Sequence, residues 1–289
     1  MRRRLQVLKT YKLFIGGKFP RSESGRFAAA TAHGGEHLAN FSLASRKDLR
    51  EAVVAARKSA GAWAATSAYL KGQILYRLAE MLESRAAALA DEISRATGVT
   101  QEAACEEVGA ATDRLVYYAG WTDKLQQVLG AVNPVASSHF NFTTLEPTGV
   151  VALVAPDQPC LLGPVTMMAA ALAGGNAVVL LASETFPLPL VSVAEVIATS
   201  DVPAGVVNIL TGRRRELAKT LAEHMDINAI ADGSGDAALH AELQGGAAFN
   251  LKRVRAWGTA NWAEDAACAT PWQVAGLMEA KTVWHPVGF

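Results

Sequence analysis

Val150-Val151-Ala152-Leu153-Val154, Ala177-Val178-Val179-Leu180-Leu181, Val206-Val207-Asn208-Ile209-Leu210 and Ile227-Asn228-Ala229-Ile230-Ala231 are short, almost wholly apolar runs. Runs of this kind, rich in Val, Ile and Leu, suit strands buried on both faces. Longer segments with helical periodicity follow each of them: Leu161–Ala173, Leu188–Thr199, Arg214–Glu223 and Asp236–Gln244. Parallel strands need helical crossovers of that kind. The alternation therefore predicts an α/β fold, a doubly wound parallel sheet covered by helices on both faces.

Upstream the pattern differs. Leu13-Phe14-Ile15-Gly16-Gly17-Lys18 reads as a strand turning at its glycine pair into a second strand. Ser45 can cap a helix over about 46–64, with Leu49, Val53, Ala56 and Ala60 on one face. A second helix is expected over about 67–97 and a third over 101–128, separated by a turn at 98–100. His139–Leu145 alternates aromatic and β-branched residues and reads as an extended strand. Asn250–Met278 loses all periodicity and reads as a linker packed by Trp257, Trp262 and Trp272. The segment 279–287 closes the chain as a last strand.

Composition narrows the function classes. Lys+Arg and Asp+Glu balance at 27 each, so net charge gives no support to a nucleic-acid or membrane-surface partner. No apolar run reaches the length of a membrane span. Arg2-Arg3-Arg4 is not followed by an apolar signal segment, because residues 9–12 are Lys-Thr-Tyr-Lys. Cys105, Cys160 and Cys268 are odd in number, widely spaced and without metal-site spacing. Reduced thiols in a cytoplasmic protein and no metal are the expectation.

Several segments, in order, carry a resemblance. Leu13–Lys18, Glu146-Pro147-Thr148-Gly149-Val150-Val151, Ala171-Leu172-Ala173-Gly174-Gly175-Asn176-Ala177-Val178-Val179 and Pro203-Ala204-Gly205-Val206-Val207-Asn208 resemble segments of the aldehyde dehydrogenase superfamily. Leu251-Lys252-Arg253-Val254 and Glu279-Ala280-Lys281-Thr282-Val283-Trp284 look like two further landmarks. In that family the first precedes the general base, and the second is the C-terminal oligomerisation strand. The resemblance implies a Rossmann-type cofactor domain with N-terminal helices and a small β oligomerisation flap. A catalytic domain with its nucleophilic cysteine normally lies between those two landmarks. Here 24 residues, 255–278, separate them, and a domain needs roughly 50 at the least. The catalytic domain is thus expected to be absent. The organisation implied is a cofactor-type domain over 1–249 that includes a strand at 138–146, a linker over 250–278, and an assembly strand over 279–289. The chain looks similar to the second, truncated half of the family-16 aldehyde dehydrogenases.

Departures from the family pattern fall on chemical positions. Asp157 and Gln158 stand where the resemblance implies Trp and the oxyanion-donating Asn. Asp157 would put negative charge where negative charge must be stabilised. Leu181 replaces a ribose-binding Lys, while Glu184 is kept. The phosphate-facing turn reads Asp232-Gly233-Ser234-Gly235-Asp236; either aspartate can cap the helix itself, and together they repel a pyrophosphate. Thr211-Gly212-Arg213-Arg214-Arg215 reads as a solvated basic turn in preference to a phosphate site. Trp257 occupies the general-base position. Cys268 lies beside Glu264 and Asp265, which raise a thiol pKa. Cys160 lies at a helix start, which can lower one, but without a base nearby.

The residues implied as a vestigial cofactor site are Glu184, Gly233 and Ser234, with no catalytic residue. No cofactor is expected, NAD(P) binding being the weaker alternative. The functional expectation is a non-catalytic subunit that supports or regulates a full-length aldehyde dehydrogenase in a hetero-oligomer, through strands 138–146 and 279–289. The competing readings are an oxidoreductase of this family with residual NAD(P) binding, and a binding module for another nucleotide or acyl ligand.

Overall fold

A computed structural model describes residues 9–257 and 261–288. The chain begins with β1 (Thr10–Tyr11), β2 (Phe27–Thr31) and β3 (His37–Ser42). Helices α1 (Arg46–Ala65), α2 (Ala68–Glu83), α3 (Ala86–Thr97), α4 (Gln101–Ala119) and α5 (Leu125–Leu129) follow, then β4 (Ala131–Asn133) and β5 (His139–Pro147). The alternating part is β6 (Val150–Val154), α6 (Leu162–Ala173), β7 (Ala177–Leu181), α7 (Leu188–Thr199), β8 (Val207–Leu210), α8 (Arg214–Glu223), β9 (Ala229–Asp232), α9 (Ala237–Ala247) and β10 (Arg253–Ala256). Short helices α10 (Asp265–Cys268) and α11 (Pro271–Ala275) lead to β11 (Met278–Pro286).

The central sheet is parallel, in the order β10-β9-β6-β7-β8. Its strands are apolar throughout because both faces are covered. Val151, Leu153, Val178 and Leu180 join a core with Leu78, Ile93, Leu115 and Met168 from α2, α3, α4 and α6. Their alternate neighbours Val150, Ala152, Val154, Val179 and Leu181 join a second core with Val53, Leu217 and Leu243 from α1, α8 and α9. The doubly wound α/β architecture expected from the sequence is therefore present. Every residue of α6 is buried, since α2, α4 and α11 all pack on it besides the sheet; hence its lack of a polar face.

Element boundaries differ where local signals are weak. The helix expected over 67–97 breaks at Ser84-Arg85, and the one expected over 101–128 ends at Ala119 before α5. The β1–β3–β2 sheet lies in a stretch with no strand expectation; Phe-Ala-Ala-Ala-Thr in β2 is weak in strand formers. The hairpin at 13–18 is reduced to one bridge, Ile15 to Lys18, across Gly16 and Gly17 at φ +60° and +76°. Phe14 exchanges both backbone hydrogen bonds with Ile209, and so covers the outer edge of β8.

The boundary expected at 249 cuts through the sheet. Arg253–Ala256 pairs residue for residue with Ala229–Asp232 as a fifth strand. Arg-Val-Arg-Ala has no apolar run to signal a strand, and an edge strand with partly exposed sides needs none. The rest of 250–278 is packed by Trp257 and Trp262 as expected, whereas Trp272 is 65% exposed and takes no part in the core. Trp257, Trp262, Cys268, Val274 and Leu277 join the first core. Arg114 from α4 donates to the Trp262 carbonyl at 3.0 Å and pairs with Asp265, and the Tyr118 hydroxyl donates to the Cys268 carbonyl.

β5 pairs antiparallel with β11 along nine residues, from Met278 opposite Pro147 to Pro286 opposite His139. β4 adds a short third strand on the other side of β5. One face of this flap carries a polar ladder: Asn133 donates to Asn141 and Thr143, and the Thr143 and Thr282 hydroxyls meet at 2.9 Å. Beyond β4, the Gln126 side chain closes the β5 edge. Its carbonyl accepts from Leu145 N–H at 3.1 Å and its amide donates to the Leu145 carbonyl. β11 lies at the opposite edge of the sheet.

Candidate functional site

β6 lies between β7 and β9, so the winding direction reverses at its carboxyl end. Crevices at such points are the usual ligand sites of open α/β sheets. Here that crevice holds a built cluster of the chain's own side chains.

Asp157, just past β6, is its centre. One carboxylate oxygen accepts from the Ser183 hydroxyl at 2.7 Å, the Glu184 N–H at 3.1 Å and Arg214 Nη2 at 2.8 Å; the other accepts from Arg214 Nη1 at 3.0 Å. Arg214 Nη2 also donates to the Ala155 carbonyl at 2.7 Å. The pair is bidentate, the strongest arrangement open to these groups. The Arg214 side chain is 11% exposed and that of Asp157 40%. Burial works against ionisation of Asp157, but the Ser183 hydroxyl and the Arg214 guanidinium outweigh it and hold the carboxyl below its ordinary range. Arg214 is thus not part of a solvated basic turn, although Arg213 and Arg215 on either side of it are exposed.

The three sequence-implied residues flank this cluster without converging on an open space. Glu184, on the β7 side, accepts from Arg214 N–H at 3.0 Å and so caps α8. Gly233, on the β9 side, is required by packing: a Cβ there would lie 2.9 Å from Met167 Sδ and 3.0 Å from the Val154 carbonyl. Ser234 N–H donates to Asp232 at 2.9 Å, and the Ser234 hydroxyl accepts from Asp236 N–H. Asp236 then caps α9, accepting from Ala238 N–H at 2.9 Å and Leu239 N–H at 3.1 Å; these backbone bonds lower its pKa. The self-capped helix expected from the sequence is the one observed. The start of α6 is covered as well: Glu107 from α4 accepts from Leu161 N–H at 2.7 Å and Leu162 N–H at 3.2 Å. Burial still pushes the Glu107 pKa up.

The remaining chemical positions differ in exposure. Gln158 is exposed and makes no side-chain hydrogen bond among the described residues. Leu181 is buried in the second core. Trp257 is 4% exposed and stacks on Trp262, with ring centres 6.2 Å apart and planes 12° from parallel. Its backbone N–H donates to the Asp232 carbonyl, so the position implied for the general base serves as a wedge at the end of the sheet. Cys160 lies at a helix start, yet burial, reinforced by Glu107, pushes its thiol well above the ordinary range. This reverses the lowering that a helix start can give. Cys268 is buried, and burial likewise raises its pKa. Neither thiol is a poised nucleophile. Among the described residues, no helix is long and apolar enough to cross a membrane.

The Asp157–Arg214 pair was missed in the sequence because its members lie 57 positions apart. The one available signal was positional: an acid directly after one strand and an arginine opening the helix after another.

Residues 19–256 match the family model described as the aldehyde dehydrogenase family. Among curated proteins, an aldehyde dehydrogenase of Aspergillus niger is 32% identical over 244 residues, covering 84% of this chain and 48% of the relative. The cytosolic 10-formyltetrahydrofolate dehydrogenase of Mus musculus is 33% identical over 261 residues, covering 87% of this chain and 28% of the relative. Among solved structures, the NAD+ complex of an aldehyde dehydrogenase from Bacillus cereus superposes with a TM-score of 0.78 at 29% identity, covering 86% of this chain and 50% of that one. The chain spans about half or less of the length of these relatives.

Proposed function

Because the chain belongs to the aldehyde dehydrogenase family, we propose that it is a non-catalytic member of it, a subunit that binds a full-length aldehyde dehydrogenase through its flap and supports or regulates it. The observation that carries this reading is the Asp157–Arg214 pair in the crevice at the end of β6.

The residues there do not fit a dinucleotide. The Arg214 guanidinium is committed to Asp157, and the leading N–H groups of α9 and α6 are taken by Asp236 and Glu107. Leu181 offers no polar atom to a ribose. A diphosphate would have to displace carboxylates from both helix starts, against like-charge repulsion. No hydride-transfer step is assigned to this chain. Calorimetry with NAD and with NADP is expected to show no saturable heat; tight binding of either, with aldehyde-dependent reduction, would overturn the non-catalytic reading.

The flap supports the assembly half of the proposal. Phe140, Val132 and Val283 are exposed on one of its faces, and β11 presents a nine-residue edge. An exposed edge is a template for pairing with another chain. β4 and the Gln126 amide occupy the other side of β5, so a partner strand is directed to β11. A tagged full-length chain, expressed with an aldehyde dehydrogenase from the same host, is expected to retain that enzyme on purification. Recovery of this chain alone, monodisperse at low concentration, would count against the reading.

A further inference from the structure

The central crevice is closed, but a separate cavity of about 320 Å³ opens between α3, α7 and the N-terminal sheet. That volume suits a small organic molecule. Leu38, Leu89 and Leu188 supply an apolar lining. The charged groups around them are unevenly matched. Lys9 pairs with Glu195 and lies 4.1 Å from the centre of the Tyr11 ring, and Arg95 faces Asp91 at 3.9 Å. Two groups are left over.

One is the Glu92 carboxylate. It accepts from the Tyr11 hydroxyl at 2.9 Å and the Ser192 hydroxyl at 2.7 Å, and it forms no ion pair among the described residues. Burial is the largest influence on it and pushes its pKa up, against its two hydroxyl donors and the nearby Lys9 ammonium, which is itself paired with Glu195. The other is Arg85, an exposed guanidinium that also lines the cavity without an ion pair among the described residues. Residues 1–8 contain no acidic side chain that could pair with it. Arg85 stands just before α3 and Glu92 in its middle, seven residues on, so the two lie about 10 Å apart along the axis. The flexible arginine shortens that span.

We propose that this cavity is a binding site for a small zwitterion, an ω-amino acid whose ammonium meets Glu92 and whose carboxylate meets Arg85. The methylene chain between them covers Leu38, Leu89 and Leu188. A zwitterion satisfies both unmatched charges at once and adds no net charge to a lining that already holds three acids and three bases. A plain amine would leave Arg85 unanswered, and a plain carboxylate would leave Glu92 unanswered. The site shares no residue with the flap strands and does not depend on the role proposed above.

Calorimetry on the full chain with 6-aminohexanoate tests it, with hexylamine and hexanoate as single-charge controls. Saturable binding of 6-aminohexanoate is expected, with both controls weaker by roughly tenfold or more, as for loss of one charge-assisted contact. Arg85→Ala and Glu92→Gln should each weaken binding by a similar factor. Arg85→Lys should restore part of it. Arg85 is exposed, so its variants report on the ligand and not on folding. Absence of binding to the unsubstituted chain, equal binding of hexylamine, or indifference to both substitutions would overturn the proposal.

Discussion

Arg214→Ala is expected to lower the stability of the folded chain by about 2–3 kcal/mol, read as a fall in the midpoint of urea denaturation. Removing one partner of a fully buried pair costs roughly 3–5 kcal/mol; the lower figure allows for the 40% exposure of the Asp157 side chain. Most of the loss is not the attraction itself. It comes from stranding Asp157 and the Ala155 carbonyl where Arg214 had answered them both. The double variant Arg214→Met/Asp157→Asn should therefore recover a large part of what the single variant loses. If the two single substitutions simply add, the pair is not a coupled unit. The pH dependence has a fixed sign. The folded pKa of Asp157 lies below its unfolded value, which is about 3.9. Its contribution is present above that value and is lost as the pH falls through the lower folded one. The Arg214→Ala chain should show a flatter acid limb.

Trp262→Ala should cost about 3–5 kcal/mol locally, the usual range for removing a buried aromatic from a core. Trp262 is 6% exposed, stacks on Trp257 and holds Arg114 through its carbonyl. The effect should be regional. Hydrogen exchange is expected to speed up across α10 and α11, while β6 and β7 keep their protection. A segment that merely tethers β11 to the body would show no such loss. Unchanged exchange in residues 261–277 would mean that Trp262 does not hold this segment to the core.

These two expectations mark the limits of what was legible in the sequence. The strands of the central sheet were readable because burial on both faces leaves a continuous apolar run. The bounds of α7 and α8 were readable because helical periodicity sets in at Leu188 and at Arg214 after each apolar strand. Ser45 and Asp236 announced their helices by capping chemistry that acts over three residues. The family was legible because several segments match in order. What failed was longer in range. Arg-Val-Arg-Ala carries no strand signal of its own, and only the neighbouring β9 makes it one. Glu107 on α4 and the start of α6 are 54 positions apart, and no local pattern links a carboxylate to the N–H groups it covers. The run of three arginines looked uniform, yet only Arg214 turns inward. One helical position among adjacent ones faces the sheet, and which of them does so depends on where the helix begins.

The flap carries a consequence for the order of events in folding. Its central contact, between the Thr143 and Thr282 hydroxyls, joins positions 139 apart. The parallel sheet closes through crossovers that are each far shorter. Contacts of long sequence separation form late, because the intervening chain must be ordered or looped first. β5 emerges from the ribosome well before β11 and waits, its inner edge already dressed by β4 and Gln126. Until Pro286 has been added, the second strand of the flap cannot be laid down in full. A partner strand that adds at the β11 edge can therefore join only chains whose synthesis has passed that point.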